Sequence, residues 1–407
     1  MKRLAVVFSI LLMDIVGLLV LSPVAPFLVR QYSQEAISVT LITVIYAAAQ
    51  FFAAPFMGKL GDRYGRRPVL LVSLAGQAVA YVIFGIGGAL WVLFLSRFIG
   101  GVTGGNFSTA SAYIADVSKP EERAKNFTLI GIAWSLGLIV GPAAGALLGK
   151  LSLVAPAYAA AALSMLNVLL GIFLLPESLP KELRDTTPLR FRDINPLASI
   201  RDMAVKPGLG GLLVVFCLFN FAFNGITSTS SLFYIAKFGA DPGQVGTLMM
   251  LGGISLAVVQ FLLVQPIVRR FGEKRVAMAS ISGQALGNLA IFFTPVFNWI
   301  YPINMAVTMV GGFAFPTLTT LNTSRVKHRE VGLLMGVTTA LGSLMNIISP
   351  LGAGLAFDYI MVGAPYWIGA IILLLAVLLL SRQPGVSLPA PTAPEAQPPE
   401  APRIEPV

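Results

Sequence analysis

Two charged residues stand inside stretches that are otherwise apolar: Asp14 in "FSILLMDIVGLLV" and Arg97 in "LWVLFLSRFIGG". Withdrawing a carboxylate from water favours its protonated form, so an acid buried among such residues can take up and release protons. A buried guanidinium normally has a partner or a polar cavity. Together Asp14 and Arg97 suggest proton handling. Two plainer readings stand beside this one: Asp14 as a packing device bonded to nearby backbone, and Arg97 snorkelling to the nearer surface. The rest of the chain excludes much other chemistry. It holds one histidine, His328, and one cysteine, Cys217, which leaves no His-based metal site, no internal disulfide and no implied cofactor. No nucleophile–base pair, metal cluster or phosphate loop points to an enzyme.

A second concentration of chemistry is "GKLGDRYGRRP", residues 58–68, in which five of eleven residues are charged although only 11% of the chain is. Gly58 and Gly61 permit close helix contact, and Gly65 permits a tight turn. Asp62 is spaced to pair with Arg66, with Arg63 and Arg67 alongside, and can accept hydrogen bonds from a helix N-terminus. A solvated basic loop would explain the arginines but not Asp62 and three glycines at these spacings. A third motif is "GLIVGPAAG", where Gly137, Gly141 and Gly145 recur at i, i+4 and i+8 beside Pro142. They line one face on which another helix can come close, while Pro142 removes a backbone hydrogen bond. Such a face suits a gate between two moving halves. The remaining polar groups in apolar windows are uncharged: Gln50, Asn106, Tyr113, Asn220, Asn224, Gln260, Asn288, Asn304 and Asn346. Each amide can serve as a helix–helix hydrogen bond. As a set with the aromatics of "FCLFNFAFNG", Gln50, Asn106, Tyr113, Asn220, Asn224 and Asn346 suit a cavity for amphipathic organic molecules.

The elements that must hold these residues are membrane helices. The 407 residues are 56% hydrophobic with a mean hydropathy of +0.82, and soluble chains carry roughly 25% charged residues, more than twice the share here. Apolar windows long enough to cross a hydrocarbon core fall at about 4–29, 38–58, 69–88, 91–116, 126–149 and 155–175, then at 209–236, 243–268, 276–295, 299–324, 331–357 and 365–381. That is an all-α protein with twelve transmembrane helices. The net charge of +10 lies in short loops, so it fits an anionic lipid surface rather than nucleic acid. Lys2, Arg3, the 58–68 loop, Arg269, Arg270, Lys274, Arg275, Arg325, Lys327 and Arg329 place both termini and the 177–207 linker in the cytoplasm. The Pro-, Ala- and Glu-rich tail, 383–407, reads as disordered.

The halves repeat. "AGQA" at 75–78 returns as "SGQA" at 282–285, Gly104–Gly105 as Gly311–Gly312, "YGRR" at 64–67 as "FGEK" at 271–274, and Pro142 as Pro350. Two six-helix bundles follow, 1–176 and 208–382, as in transporters built from parallel repeats.

The 58–68 loop resembles the signature G-x-L-(A/G)-D-R-x-G-R-(K/R) of the major facilitator superfamily. "MDIVGLLVLSPVAPFL", "LSRFIGGVTGGNFSTASAYIAD", "GLIVGPAAG" and "LLPES" resemble segments of its proton-coupled drug exporters, including tetracycline exporters, over about residues 5–380. The resemblance implies two six-helix bundles working by alternating access, with a gate on the cytoplasmic side. In that gate Asp62 meets the start of helix 11 and Asp116 in "AYIADVS" completes the network, while Arg97 influences proton transfer. It implies a monomer in the inner (plasma) membrane, exporting small amphipathic compounds against protons. Tetracycline exporters carry further acidic and histidine groups in their second half. Helices 7–10 here have no acid within the membrane, which leaves Asp14 as the main proton candidate. Alternatives are a proton-driven symporter for a sugar or nucleoside, which the helix 5 pattern disfavours, and a non-transporting sensor.

Overall fold

The computed structural model describes residues 2–104, 106–118, 123–184, 201, 203–206, 208–326 and 330–383. The tail from 384, residues 185–200 of the linker, and His328 lie outside the described residues. Among the described residues, nine helices are long and apolar enough to cross a membrane. They are helix 2 (Ala36–Tyr64), helix 3 (Arg66–Ile86), helix 5 (Arg123–Gly149), helix 6 (Ala155–Leu174), helix 7 (Gly210–Phe238), helix 8 (Pro242–Phe271, through a π turn at Val259–Leu263), helix 9 (Glu273–Phe293), helix 11 (Val331–Tyr359) and helix 12 (Ala364–Arg382). The other three crossings are broken helices: helix 1 (Lys2–Leu19, then Ala25–Arg30), helix 4 (Leu90–Thr103, then Asn106–Val117) and helix 10 (Ile300–Gly311, then Ala314–Thr323). The architecture is the expected twelve-helix, two-bundle fold, with three spans interrupted where hydropathy alone predicts continuous helices.

Two of the three interruptions are closed by a side chain from another helix. A helix end in hydrocarbon must find partners for its backbone groups. Gln50 of helix 2 donates from Nε2 to the Gly104 carbonyl at 2.9 Å, closing the break in helix 4. Gln260 of helix 8 does the same for the Gly312 carbonyl at 3.0 Å in helix 10.

Matched contacts of this kind recur between the bundles. Gly65 (φ +105°) turns helix 2 into helix 3, and Gly272 (φ +79°) turns helix 8 into helix 9, both in a region that favours glycine. Arg67 donates to the Ile172 carbonyl at the end of helix 6, and Lys274 donates to the Ser381 carbonyl at the end of helix 12. Trp91 and Trp299 are both exposed where helices 4 and 10 begin, as expected of an interfacial aromatic belt.

Between the bundles, helix 5 packs on helix 8 and helix 2 on helix 11. Residues 58–68 mark one end of the molecule, the loop end, and the opposite one is the far end. At the far end one buried cluster is shared by both bundles: Val20, Val24, Leu28, Tyr81, Phe84 and Leu93 pack in the same core as Leu232, Phe233, Val245, Ile300 and Tyr366. Toward the loop end each bundle closes on itself. Val7, Ile10, Leu70, Leu74, Tyr113 and Ile114 form one core, and Leu212, Phe216, Ala277, Ile281, Leu318 and Leu373 another. The shared core seals the far end, while among the described residues no buried core joins the bundles at the loop end, which in this sense is parted.

Candidate functional site

Asp14 is half-buried near the middle of helix 1, counted over both its segments. One turn on, Gly17 faces Tyr81 of helix 3, where an added Cβ would make ordinary contact 3.7 Å from the ring. Arg97 does not snorkel. It is 7% exposed, with its guanidinium 4.2 Å from the Phe84 ring centre and 5.9 Å from that of Tyr81. Cation–π contact is worth about 2 kcal/mol or more when desolvated, so the two rings help to keep the charge inside the bundle. Its Nε and Nη2 make no hydrogen bond among the described residues. Tyr46 and Tyr81 lie within electrostatic reach of both Asp14 and Arg97. Gln77 donates to the Tyr81 hydroxyl at 3.2 Å and accepts from Thr103 Oγ1 at 3.2 Å, tying helix 3 to helix 4. One acid and one guanidinium thus lie in the first bundle, each within electrostatic reach of Tyr46 and Tyr81. Sequence pattern does not assign Tyr46, Tyr81 and Gln77 to this site, because tyrosines among apolar residues look like core.

At the loop end the expected network forms within the first bundle. Arg66 is the hub: Nη2 meets Asp62 at 2.5 Å and Nε meets Asp116 at 3.3 Å. Arg66 Nη1 also reaches the Gly58 carbonyl at 3.5 Å. Ser178 donates to Asp116 at 2.9 Å. Glu177 of "LLPES" supplies the missing cap. Its carboxylate accepts from the Arg66 amide at 2.9 Å and from the Arg67 amide at 3.3 Å, at the positive end of helix 3. Arg184 approaches it at 3.8 Å. The helix 11 N-terminus, where the resemblance places Asp62's partner, instead offers Glu330 to Lys206 at 2.8 Å. Asp62 is therefore engaged with its own bundle, consistent with the parted loop end. Arg63 and Tyr64 form an exposed pair, ring centre to guanidinium 5.7 Å.

The helix 5 glycines pack differently from the expectation. A Cβ on Gly137 would lie 2.4 Å from Ile15 Cγ2, on Gly141 2.6 Å from Leu19 Cβ, and on Gly145 2.0 Å from the Val20 carbonyl oxygen. This face meets helix 1 of the same bundle, not the other bundle. The seam between bundles uses glycines of helix 8. A Cβ on Gly246 would sit 2.8 Å from the Pro142 carbonyl oxygen, and one on Gly253 2.7 Å from that of Leu138.

The members of the polar set differ in burial and in hydrogen-bond partner. Tyr113 is fully buried in the first bundle's core, donating to the Pro176 carbonyl at 2.8 Å, so it lines no cavity. Gln50 is occupied with the helix 4 break. Asn220 and Asn224 donate to the backbone one turn earlier, at 2.9 and 2.8 Å. Asn346 is exposed on helix 11, and Asn106 opens the second segment of helix 4. No group of three potential metal ligands occurs among the described residues.

The sequence profile of the major facilitator superfamily matches residues 6–350 and 229–405. The chain belongs to this superfamily. The tetracycline resistance protein, class C, of Escherichia coli is 35% identical over 353 residues, 86% of this chain and 88% of that protein. Multidrug resistance protein 2 of Bacillus subtilis (strain 168) is 27% identical over 361 residues, 86% of this chain and 89% of that one. The crystal structure of the human organic anion transporter MFSD10 (TETRAN) matches with a TM-score of 0.69 at 25% identity, covering 93% of this chain and 99% of that one. This major facilitator is a multi-pass membrane transporter of the drug-exporter type.

Proposed function

We propose that this facilitator exports amphipathic organic compounds against an inward flow of protons, by alternating access. The single observation that carries this reading is the half-buried Asp14 in the same bundle as an inward-held Arg97, with Tyr46 and Tyr81 in reach of both. A titratable acid in that position changes charge as the cavity turns from one side to the other. A ligand, the proton included, shifts a conformational equilibrium only by binding the two states differently. The Asp62–Arg66–Asp116 network lies at the loop end, ready to close it in the opposite state. Charge bias supports a cytoplasmic position for that end and both termini in an inner-membrane transporter, with the monomer as the proposed working unit. The relatives named for tetracycline and multidrug resistance support organic drugs as the substrate class.

The test is proton flux in proteoliposomes against a compound panel, comparing the native protein with Asp14→Asn. Compound-driven proton movement is expected in the native protein alone. A compound that drives protons equally through both would end the assignment.

A further inference from the structure

At the far end, helix 2 is capped by a residue 322 positions away in sequence. The amides of Ala36 and Ile37, the first two of that helix, donate to Oδ1 and Oδ2 of Asp358, each at 2.8 Å. The residue in helix 2's own capping position, Glu35, makes no side-chain cap. Asp358 lies in the last turn of helix 11, where the dipole of its own helix disfavours an anion. Both deficits are cured by the same contact, and only while the two bundles touch. One turn before Asp358, Gly354 permits the approach: a Cβ there would lie 2.5 Å from Thr40 Oγ1 and 3.1 Å from Ile37 Cα.

We propose that Asp358 is a far-end latch, a positioning residue that stabilises the loop-end-open state by capping helix 2 from the opposite bundle. When the far end opens, two helix amides lose their acceptor and an aspartate returns to the negative end of its own helix. Helices 2 and 11 run antiparallel, and each ends in an acid. Asp62 closes helix 2 at the loop end, and Asp358 closes helix 11 at the far end. The pair thus carries one acid for each closed end of the transport cycle. The proposal rests on alternating access but not on the proton assignment.

The experiment uses the full chain with Cys217, its only cysteine, replaced by Ser, and Thr40→Cys as reporter. Thr40 is fully buried in the helix 2–helix 11 seam. The readout is its reaction rate with a membrane-impermeant thiol reagent presented at the far end, with no compound and no proton gradient, so the result is independent of Asp14. Asp358→Asn removes the charge and one acceptor. Ala36→Pro removes one donor from the other bundle at a position where proline suits a helix; Glu35, at φ −74° and ψ 135°, already has the conformation a following proline requires. Each variant is expected to label about tenfold faster, a shift of about 1.4 kcal/mol and the size of one helix cap. Because both break the same contact, the double variant is expected to label no faster than the quicker single one. The latch is refuted if either folded variant labels at the native rate, or if the two effects multiply.

Discussion

Replacing Glu177 with Gln keeps the side chain's shape and removes the charge that caps helix 3. The Arg66 and Arg67 amides then face a neutral acceptor, and Arg184 loses its anion. We expect a stability loss of about 1–2 kcal/mol, seen as a lower midpoint in thermal unfolding in detergent, with compound-driven proton flux retained. Arg97→Lys keeps the charge but not the planar guanidinium over Phe84, so proton flux should fall at least tenfold, and the weakened ring contact should lower the unfolding midpoint as well. Full flux in Arg97→Lys would show that the charge alone suffices. The legibility of these residues differs for a physical reason. Asp62 and Arg66 are four apart across the Gly65 turn, so type and spacing reveal the pair. Glu177 meets amides 111 positions away, which no local pattern records. Tyr113 shows the converse: a hydroxyl in an apolar window suggests a cavity, but one carbonyl at Pro176 satisfies it inside the core.

Helix 5 has two closely packed faces, and each meets a different neighbour. The Gly137–Gly141–Gly145 face touches helix 1, while Leu138, Pro142 and Ala146 meet Gly253 and Gly246 of helix 8. Period-four glycines therefore mark a close-packing face but not its partner, because periodicity fixes a direction on the helix and says nothing of what lies there. Gly145→Ala puts a methyl group 2.0 Å from the Val20 carbonyl oxygen, where backbone must move. Overpacking of this sort costs about 1–3 kcal/mol, and the variant should unfold at a lower temperature. At Gly131 of the same helix, an added methyl group would meet nothing within 4 Å, so Gly131→Ala should be neutral or stabilising by up to about 1 kcal/mol. Equal destabilisation by both would mean that helix 5 is sensitive to any added side chain rather than held at the helix 1 seam. The breaks in helices 4 and 10 are hidden in the sequence for a related reason. Gly104 and Gly312 interrupt the backbone without interrupting hydropathy, and the glutamines that repair them lie on other helices.

For the whole molecule, the repeat in sequence is the most informative signal, since "AGQA" and "SGQA" imply matched bundles and the paired Gln50 and Gln260 contacts realise them. Which end the bundles share is a different matter. It depends on residues such as Val24, Phe84, Leu232 and Tyr366, which are ordinary apolar residues in sequence and become a joint core only in three dimensions. That arrangement fixes a measurable distance. Arg63 lies in the last turn of helix 2 and Leu333 in the first turn of helix 11, and both are exposed at the loop end. Spin labels at Arg63→Cys and Leu333→Cys, in a Cys217→Ser background, should give a long distance in the resting protein. Closing the loop end would bring Asp62 toward the start of helix 11 and add a shorter population. Because protonation of Asp14 is taken to bias the two states, that population should change with pH in the native acid and become insensitive to pH in Asp14→Asn. A resting distribution already dominated by the short distance would contradict separate loop-end cores. A pH response that survives Asp14→Asn would place the titrating group elsewhere while leaving the parted loop end intact.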